Sequence, residues 1–386
     1  MRAALMYDEG VLSALRRVYG SSLGDFLSAL SVPSRRLYVR VNTLRADVGE
    51  VVDSLRARGL RVGVDEELEE AIYFVVEGPF DVEELELKVF VDKFAAESVY
   101  LGANLYAPGV VDCDERVARG SEVSIVGPGG IVVGVGVAEM SCSEMLEAER
   151  GLAVRVVKSV FRAPPIRELE EFDKGILYPQ SLPAMYASRV LDPKPGEVIV
   201  DMCAAPGGKT GHIVELSKGM AEVYAFDHSK SKIRELVNTL RRLGHLDKVR
   251  VFRADSRYLS VDYPWLKPDK VLVDPPCSAL GVRPKLYDEK RYRDIVAASE
   301  YQKQFLREAL RIVKKGGVVV YSVCTVTIEE CENVVESVAR EMKCVDIEDV
   351  NVRRASPGLG IPAVRFHPHL HDTPGFFIAR LRKTCA

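Results

Sequence analysis

The sequence has no apolar run long enough to cross a membrane and no closely spaced pairs of cysteines. No stretch approaches the roughly 18 apolar residues of a spanning helix, and Met1–Asp8 lacks the apolar core of a signal peptide. The eight cysteines show neither the CxxC spacing of a zinc site nor the density of a secreted disulfide scaffold. We therefore expect reduced thiols in a cytoplasmic protein that does not enter a membrane.

A large excess of charge of one sign is also missing. The 386 residues include 53 Lys and Arg against 56 Asp and Glu, and the net charge is −3. This balance argues against a uniformly basic nucleic-acid-binding protein, although a local patch can bind a partner when the sum is near zero. The chain does have a basic segment, Arg35–Arg61, and an acidic one, Asp65–Glu86, and a solvated surface is the commoner explanation of such runs.

Changes in composition divide the chain into three predicted regions. Residues 1–90 mix amphipathic helical patterns with a short strand pattern, which is typical of a small α+β module. Residues 91–165 contain valine-rich runs separated by glycines, which indicates a compact β-barrel. Residues 166–386 alternate strand and helix patterns and therefore predict a doubly wound α/β sheet.

Two candidate strands of the third region lead to cysteines. Lys270–Val273 continues into Asp-Pro-Pro-Cys277, and the strand Val318–Ser322 continues to Cys324. The carboxyl ends of neighbouring parallel strands border one crevice, where ligands bind. We therefore expect the two thiols to face one substrate. The other expected strands of this sheet are Val198–Met202, Glu222–Phe226 and Val249–Phe252, and the expected helices include Lys230–Leu243 and Ser299–Val313.

The first strand of this sheet runs into the glycine-containing segment Asp201-Met-Cys-Ala-Ala-Pro-Gly-Gly-Lys-Thr210. It is not a phosphate-binding P-loop, because Cys203 stands where that motif needs glycine, and it is not a GxGxxG dinucleotide fingerprint. The remaining interpretation is the cofactor loop of a class I S-adenosylmethionine enzyme, with glycines that allow close approach of a ligand. Asp227 would then accept hydrogen bonds from the ribose hydroxyls, and Asp255 would contact the adenine amine.

A thiolate and a carboxyl group at one crevice suit methylation of cytosine at carbon-5, which is a poor nucleophile. A thiolate that adds to carbon-6 makes carbon-5 nucleophilic, and Asp274 is the candidate general acid toward nitrogen-3. Cys324 precedes a helix that we expect from about Ile328, and a helix amino terminus or a nearby lysine stabilises a thiolate. A buried cysteine that only packs is the alternative for any single thiol.

These motifs together resemble the Nol/Nop/Sun family of RNA cytosine carbon-5 methyltransferases over roughly residues 170–386. The resemblance implies that Cys324 is the nucleophile, that Cys277 aids product release, and that Asp274 contacts cytosine and cofactor. It also implies that S-adenosylmethionine is bound by Cys203, Ala204, Ala205, Pro206, Gly207, Gly208, Lys209, Asp227, Lys232, Asp255 and Asp274, with Lys209 also near the target base. The sequence departs from the family at Cys331, usually asparagine, and at Val323, usually threonine.

The middle region is similar to a PUA domain, on the runs Gly102–Gly109 and Gly134–Ser141. PUA domains typically hold structured RNA, and this insertion resembles the branch that modifies the cytosine at position seventy-two of tRNA. The resemblance implies a tRNA acceptor stem and 3′ end as the partner, with contacts from Gly102, Asn104 and Tyr106. Arg283 begins a basic and aromatic stretch that could grip phosphates, although a solvated helix start explains it equally well.

Several alternatives remain at this point. The substrate could be rRNA, the chain could be a non-catalytic RNA-binding or assembly factor, or an exocyclic amine could be methylated without a thiol adduct. His367, His369 and His371 alternate as metal ligands do, but their surroundings favour a packed loop, so we expect no metal. We expect no obligate protein partner.

Overall fold

The amino-terminal region forms a small sheet covered by helices in the computed structural model, which describes residues 4–385. Asp8 and Asp47 precede the first and third helices and accept hydrogen bonds from their first-turn amides, as favourable N-caps do. Apolar residues of the third helix pack on the sheet. The elements are β1 (Ala4–Tyr7), α1 (Glu9–Tyr19), α2 (Leu23–Leu30), β2 (Arg36–Val41), α3 (Val48–Ala57), β3 (Val62–Val64) and β4 (Ala71–Val75).

The region predicted over residues 1–90 is not a separate body. Its sheet is completed by the later strand Leu177–Pro179, which pairs with β2. β1 pairs in parallel with Tyr287–Lys290, and α1 and α2 share a core with Leu280 and Ile295. The middle region is therefore inserted into a structure that the residues before and after it build together.

The middle region forms a six-stranded sheet with its own apolar core. The glycine-separated valine runs become its strands, as the sequence predicts. The strand order is β6-β10-β9-β8-β5-β7, and only the β5–β8 pair is parallel. Its elements are β5 (Lys88–Val91), α4 (Lys93–Tyr100), β6 (Leu105–Tyr106), β7 (Val110–Cys113), β8 (Glu122–Gly127), β9 (Ile131–Ala138), α5 (Cys142–Glu147) and β10 (Leu152–Ser159).

The expectation that all cysteines are reduced is wrong. Disulfides join Cys113 to Cys142, which links β7 to the start of α5, and Cys344 to Cys385. The free cysteines are Cys203, Cys277, Cys324 and Cys331. Sequence spacing misses the pairs because the two members of each lie 29 and 41 residues apart and are brought together only by the fold.

The carboxyl-terminal region is the doubly wound α/β sheet that the sequence predicts. Its main strand order is β14-β13-β12-β15-β17-β21-β20-β19, parallel from β14 to β17 and antiparallel beyond. The strands are β11 (Leu177–Pro179), β12 (Val198–Asp201), β13 (Glu222–Asp227), β14 (Val249–Arg253), β15 (Lys270–Val273), β16 (Tyr287–Lys290), β17 (Val318–Val323), β18 (Val345–Glu348), β19 (Ser356–Pro357), β20 (Ala363–Phe366) and β21 (Phe376–Lys383).

The helices of this region cover both faces of the sheet with apolar side chains. Two differ from expectation: α11 begins seven residues before the expected Ser299, and α12 begins at Glu332 rather than near Ile328. No helix in the described part of the chain could span a membrane. The helices are α6 (Glu170–Asp173), α7 (Leu182–Leu191), α8 (Gly208–Leu216), α9 (Lys230–Leu243), α10 (Leu259–Asp262), α11 (Tyr292–Ile312), α12 (Glu332–Met342) and α13 (Pro368–His371).

Candidate active site

The candidate site lies where the strand order reverses between β12 and β15. In open parallel sheets this switch point opens a crevice at the carboxyl ends of the strands. Asp201 ends β12 and Asp227 ends β13, while Asp274 and Cys324 directly follow β15 and β17. Cys277 follows the two prolines after Asp274. Strand order therefore collects carboxyl and thiol groups at one edge.

The two thiols are in contact, with 3.2 Å between the sulfur atoms of Cys277 and Cys324. The hydrogen bond from Cys277 lowers the pKa of Cys324, against burial and the Asp274 carboxylate, and the Lys209 ammonium acts in the same lowering direction. The same pairing, together with burial, raises the pKa of Cys277 well above its usual value. The pair therefore favours a thiolate on Cys324 and a protonated thiol on Cys277.

Lys209 and Asp274 form an ion pair beside these thiols. The Lys209 ammonium lies 2.6 Å from Oδ2 of Asp274, and the buried Ser322 hydroxyl donates to Oδ1 at 2.8 Å. Burial works against the charge of Lys209, but Asp274 raises its pKa above the ordinary value. The expected helix amino terminus does not support Cys324, since α12 begins eight residues later. Lys209 supplies the positive charge instead.

A cavity of about 240 Å³ extends from the thiols to Asp227 and Asp255. Eight predicted site residues line it: Cys203, Ala205, Asp227, Lys232, Asp255, Asp274, Cys277 and Cys324. Tyr301 and Phe305, which the sequence analysis did not single out, add aromatic walls. Carboxylates at one end and soft, apolar groups at the other fit a nucleoside that carries a sulfonium group.

The loop glycines contact protein atoms rather than this cavity. A Cβ on Gly208 would meet the Tyr178 ring at 2.6 Å, and one on Gly207, where φ is +111°, would meet Leu236 at 3.0 Å. Close packing against neighbouring side chains therefore requires glycine at both positions. Ala204 is buried in the core, and Pro206 borders a separate groove.

Asp255 is already engaged by a protein partner. Its carboxylate accepts hydrogen bonds from the Arg257 guanidinium, with the shortest at 2.5 Å. The hydrogen bonds from the Arg257 side chain lower the pKa of Asp255. Asp255 is therefore held as a carboxylate at the cavity wall, which suits an acceptor for an amine.

Sequence reasoning missed three buried polar residues beside the site. Asp201 accepts a hydrogen bond from Thr210 at 2.8 Å, and burial raises its pKa to about 6. Ser322 orients Asp274, and Glu330 hydrogen-bonds the residues that follow both thiols. Asp201 and Ser322 lie at strand ends next to named motifs, so their positions in the sequence could have identified them.

The residues predicted to contact RNA differ in their exposure, and Arg283 is nearly buried. Arg283 is wrong as a phosphate contact, because its side chain is only 4% exposed and pairs with Asp372. It also donates to the carbonyls of Val32 and Pro368, so it holds three chain segments together. The sequence could not show that Arg283 is occupied by protein partners, because these partners are distant in the chain.

Of the predicted PUA contacts, Gly102 and Tyr106 are exposed and Asn104 is half-buried. Gly102 lines a cavity of about 180 Å³ together with the exposed Lys158 and Arg162. Tyr106 is 52% exposed. The side-chain oxygen of Asn104 accepts a hydrogen bond from the backbone amide of Val156 at 2.9 Å. Asn104 therefore has a structural role within the domain besides its predicted contact with RNA.

The histidines of the carboxyl-terminal loop contact one another and Tyr19. The Tyr19 hydroxyl lies 3.1 Å from Nδ1 of His367, and the backbone amide of His367 donates to Nδ1 of His371. Burial lowers the pKa of His367 to about 3. Within residues 4–385 no cluster of three or more acidic, histidine or cysteine side chains could hold a metal ion.

Comparison with known proteins finds RNA methyltransferases and a PUA domain. The family model described as 16S rRNA methyltransferase RsmB/F matches residues 188–382, and the PUA domain model matches residues 87–160. A tRNA (cytosine(72)-C(5))-methyltransferase of Pyrococcus horikoshii is 43% identical, covering 98% of this chain and 99% of the relative. The mouse tRNA (cytosine(72)-C(5))-methyltransferase NSUN6 is 27% identical, over 90% of this chain and 80% of its own length.

A solved structure of a similar protein has the same fold as this chain. The crystal structure of NSun6 from Pyrococcus horikoshii with SFG, an S-adenosylmethionine analogue, has a TM-score of 0.92 and 42% identity. It covers 98% of this chain, and this chain covers 99% of it. The similarity therefore includes the inserted six-stranded sheet as well as the α/β sheet.

Proposed function

Because the chain belongs to the RsmB/F family of RNA methyltransferases and carries a PUA domain, we propose that it methylates carbon-5 of the cytosine at position seventy-two of tRNA. It is an S-adenosylmethionine-dependent cytosine carbon-5 methyltransferase. The observation that carries the mechanism is the pair of unequal thiols, Cys277 and Cys324, in contact beside the Lys209–Asp274 ion pair.

The first step is addition of the Cys324 sulfur to carbon-6 of the cytosine. The lowered pKa of Cys324 supplies the thiolate that this addition needs. Electron density then moves toward nitrogen-3, where a hydrogen bond or proton lowers the cost. Lys209 and Asp274 are placed to hold that proton, since Nζ and Oδ2 are 2.6 Å apart.

Cofactor binding is assigned to the cavity between the thiols and the two carboxylates. Asp227 and Asp255 would hold the ribose and adenine, and Cys203 and Lys232 line the same wall. S-Adenosylmethionine supplies the methyl group that carbon-5 receives. Asp274 and the thiols close the other end of the cavity, so the base and the cofactor meet there.

Cys277 is assigned to product release. The carbon-5 proton passes to solvent water, and the electrons of that C–H bond form the double bond between carbon-5 and carbon-6. The bond between Cys324 and carbon-6 breaks, and its electron pair returns to sulfur. The Cys277 thiol, which holds its proton, donates a hydrogen bond to that departing thiolate. Without this donor, the adduct between protein and RNA should persist.

The PUA domain supports an RNA end as the partner. Lys158 and Arg162 are exposed and form no ion pair with another described residue, and both border the cavity at Gly102. Phe80 and Val157, 42% and 57% exposed, add apolar surface at the same place. Cations attract phosphates, and apolar surface can support an unstacked base. We assign this surface to the acceptor stem and 3′ end.

The alternatives fit less well. The tRNA-modifying relative from Pyrococcus horikoshii matches 98% of this chain, the inserted six-stranded sheet included, which favours tRNA over rRNA. A non-catalytic RNA-binding factor would not need a thiolate-forming cysteine pair. Methylation of an exocyclic amine would not use a thiol adduct, so it leaves Cys324 without a role.

Bisulfite sequencing of treated RNA tests the proposal. Purified protein, S-adenosylmethionine and a tRNA transcript should give 5-methylcytosine at position seventy-two, and a transcript with uridine there should receive no methyl group. Activity of the purified chain alone would also support the absence of an obligate protein partner. Methylated rRNA with unmethylated tRNA would overturn the substrate assignment.

The cytoplasm is the proposed location. The proposed tRNA substrate supports this location, and disulfides such as these are also found in some intracellular proteins. Fractionation of cells that produce the protein tests this assignment. Recovery in the membrane fraction would contradict it.

A further inference from the structure

Glu330 is a fully buried carboxylate directly behind the turn that carries Cys277. The backbone amide of Ser278 donates to Oε1 of Glu330 at 2.8 Å, and the Ser278 hydroxyl donates to Oε2. A residue adjacent to one thiol is therefore fixed twice by the same side chain.

The same carboxylate also contacts the turn that carries Cys324. The Thr325 hydroxyl lies 3.1 Å from Oε2 of Glu330 and 2.8 Å from the Ser278 hydroxyl. The Thr327 hydroxyl donates to Oε2 at 3.2 Å. The residues that follow the two thiols thus meet at one carboxylate oxygen.

Gln302 of α11 extends this contact to the other side of Cys277. Its amide nitrogen lies 3.0 Å from Oε1 of Glu330 and 3.1 Å from the carbonyl oxygen of Pro276. The Tyr321 hydroxyl lies 2.7 Å from the backbone carbonyl of Glu330. Both flanks of Cys277 are therefore tied to Glu330, directly or through one residue.

Among residues 4–385, Glu330 forms no ion pair, whereas its neighbours Glu329 and Glu332 pair with Arg17 and Arg365. An uncompensated buried carboxylate is costly unless hydrogen bonds satisfy it. A carboxylate can accept several donors at once, so the residue suits a junction where many donors converge.

We infer that Glu330 is a positioning residue that holds the Cys277 and Cys324 turns together, so that the two sulfur atoms meet at catalytic spacing. The inference rests on the proposed function for its significance to catalysis. The geometry that it explains, a sulfur separation of 3.2 Å, can be tested without RNA.

The direct test is the rate at which diamide oxidises Cys277 and Cys324 to a disulfide in the full-length protein. The thiols lose two protons and two electrons to diamide, and peptide mapping distinguishes the new bond from the existing ones. Because a displacement of about 1 Å can cost on the order of a hundredfold, Glu330→Ala should slow closure at least about tenfold. Glu330→Gln keeps the shape and an acceptor, so it should stay within about threefold of the unchanged protein.

Glu332→Ala is the matched control. It removes an equally buried carboxylate two residues away that pairs with Arg365 and makes no direct hydrogen bond to the residues that flank either thiol. Its one link to the Cys324 turn is indirect, through the bond from Arg365 to the carbonyl of Val326. Unchanged closure in Glu330→Ala, or equal slowing in Glu332→Ala, would overturn the inference. Should Glu330→Ala not fold, Ser278→Ala removes one of the tethering hydroxyls and should slow closure in the same direction.

Kinetics with tRNA link the geometry to the reaction. Glu330→Ala should lower kcat and leave KM for RNA within about twofold, since thiol spacing affects reaction after binding. A rise in KM with unchanged kcat would contradict a positioning role. Failure of the unchanged protein to methylate tRNA would refute the proposed substrate, while the diamide result would still decide the role of Glu330.

Discussion

At the scale of single residues, the site depends on two thiols of the same kind that differ in protonation. The sulfur atoms of Cys277 and Cys324 are in hydrogen-bond contact, and this contact lowers the pKa of Cys324 and raises that of Cys277. The Lys209 ammonium also lowers the pKa of Cys324, whereas the Asp274 carboxylate raises it. Nucleophile and releasing thiol are thus distinguished by their surroundings.

Replacing Lys209 should shift the pH dependence of methylation. Lys209 helps to lower the pKa of Cys324, so Lys209→Met should raise that pKa and move the rising limb of the kcat–pH profile to higher pH. At neutral pH the rate should fall at least about tenfold. Lys232→Met, which removes a lysine from the cofactor wall, should leave the profile in place. An unshifted profile in Lys209→Met would contradict the role.

At the scale of elements, the ends of the parallel strands carry the reacting groups and also bring buried carboxyl groups close together. Asp201 closes β12 under the cofactor loop, where Thr210 donates to it. Burial raises its pKa to about 6, with the Asp274 carboxylate acting in the same direction. The folded state therefore holds this proton at pH values where the unfolded chain has lost it.

This raised pKa predicts a stability change with a definite sign. The contribution of Asp201 is most favourable below about pH 4 and is lost as pH rises through about 6, at a cost of about 3 kcal/mol. Asp201→Asn should therefore gain stability relative to the unchanged protein between pH 4.5 and pH 7.5, measured by denaturant unfolding.

Asp269→Asn is the control of opposite sign. Although burial raises the pKa of Asp269, its hydrogen bonds, led by Lys314, lower it overall, so its contribution is lost as pH falls. Because its ordinary pKa of 3.8 and its lowered pKa both lie below pH 4.5, Asp269→Asn should be destabilised by about the same amount at pH 4.5 and pH 7.5. Its destabilisation relative to the unchanged protein should shrink only as pH falls below about 4. Equal pH dependence in Asp201→Asn and the unchanged protein would contradict the assignment.

The sequence predicted the elements well and the long-range contacts poorly. Lys270–Val273 and Lys230–Leu243 form as predicted, because apolar period and turn residues are local signals. Arg283 was misassigned because nothing near it in the chain reveals the carbonyls that it contacts. Glu330 was missed, since its significance arises only when two turns meet at its carboxylate.

At the scale of the whole molecule, a buried ion pair joins the amino-terminal sheet to the catalytic domain. Arg40 of β2 is fully buried and donates to Glu215 of α8 at 2.7 Å. It also donates to the carbonyl of Gly208 in the cofactor loop at 2.7 Å, and His245 lies 3.1 Å from Glu215. The amino-terminal region thereby supports the first turn of α8, which carries Lys209.

Removing one partner of this pair should destabilise the protein strongly. Arg40→Met leaves Glu215 buried without its cation, which costs about 3–5 kcal/mol in comparable pairs. Adding Glu215→Leu to that variant should restore much of the loss, because a neutral pair of similar volume avoids the unpaired charge. Thermal unfolding measures both variants. A single variant as stable as the unchanged protein would contradict this account.

The central claim is that Cys324 attacks the base and Cys277 releases it. The most direct measurement is a denaturing gel of Cys277→Ala incubated with labelled tRNA and S-adenosylmethionine. The account predicts a covalent band between protein and RNA that the additional change Cys324→Ala abolishes. No band with Cys277→Ala, or a band that survives loss of Cys324, would contradict it.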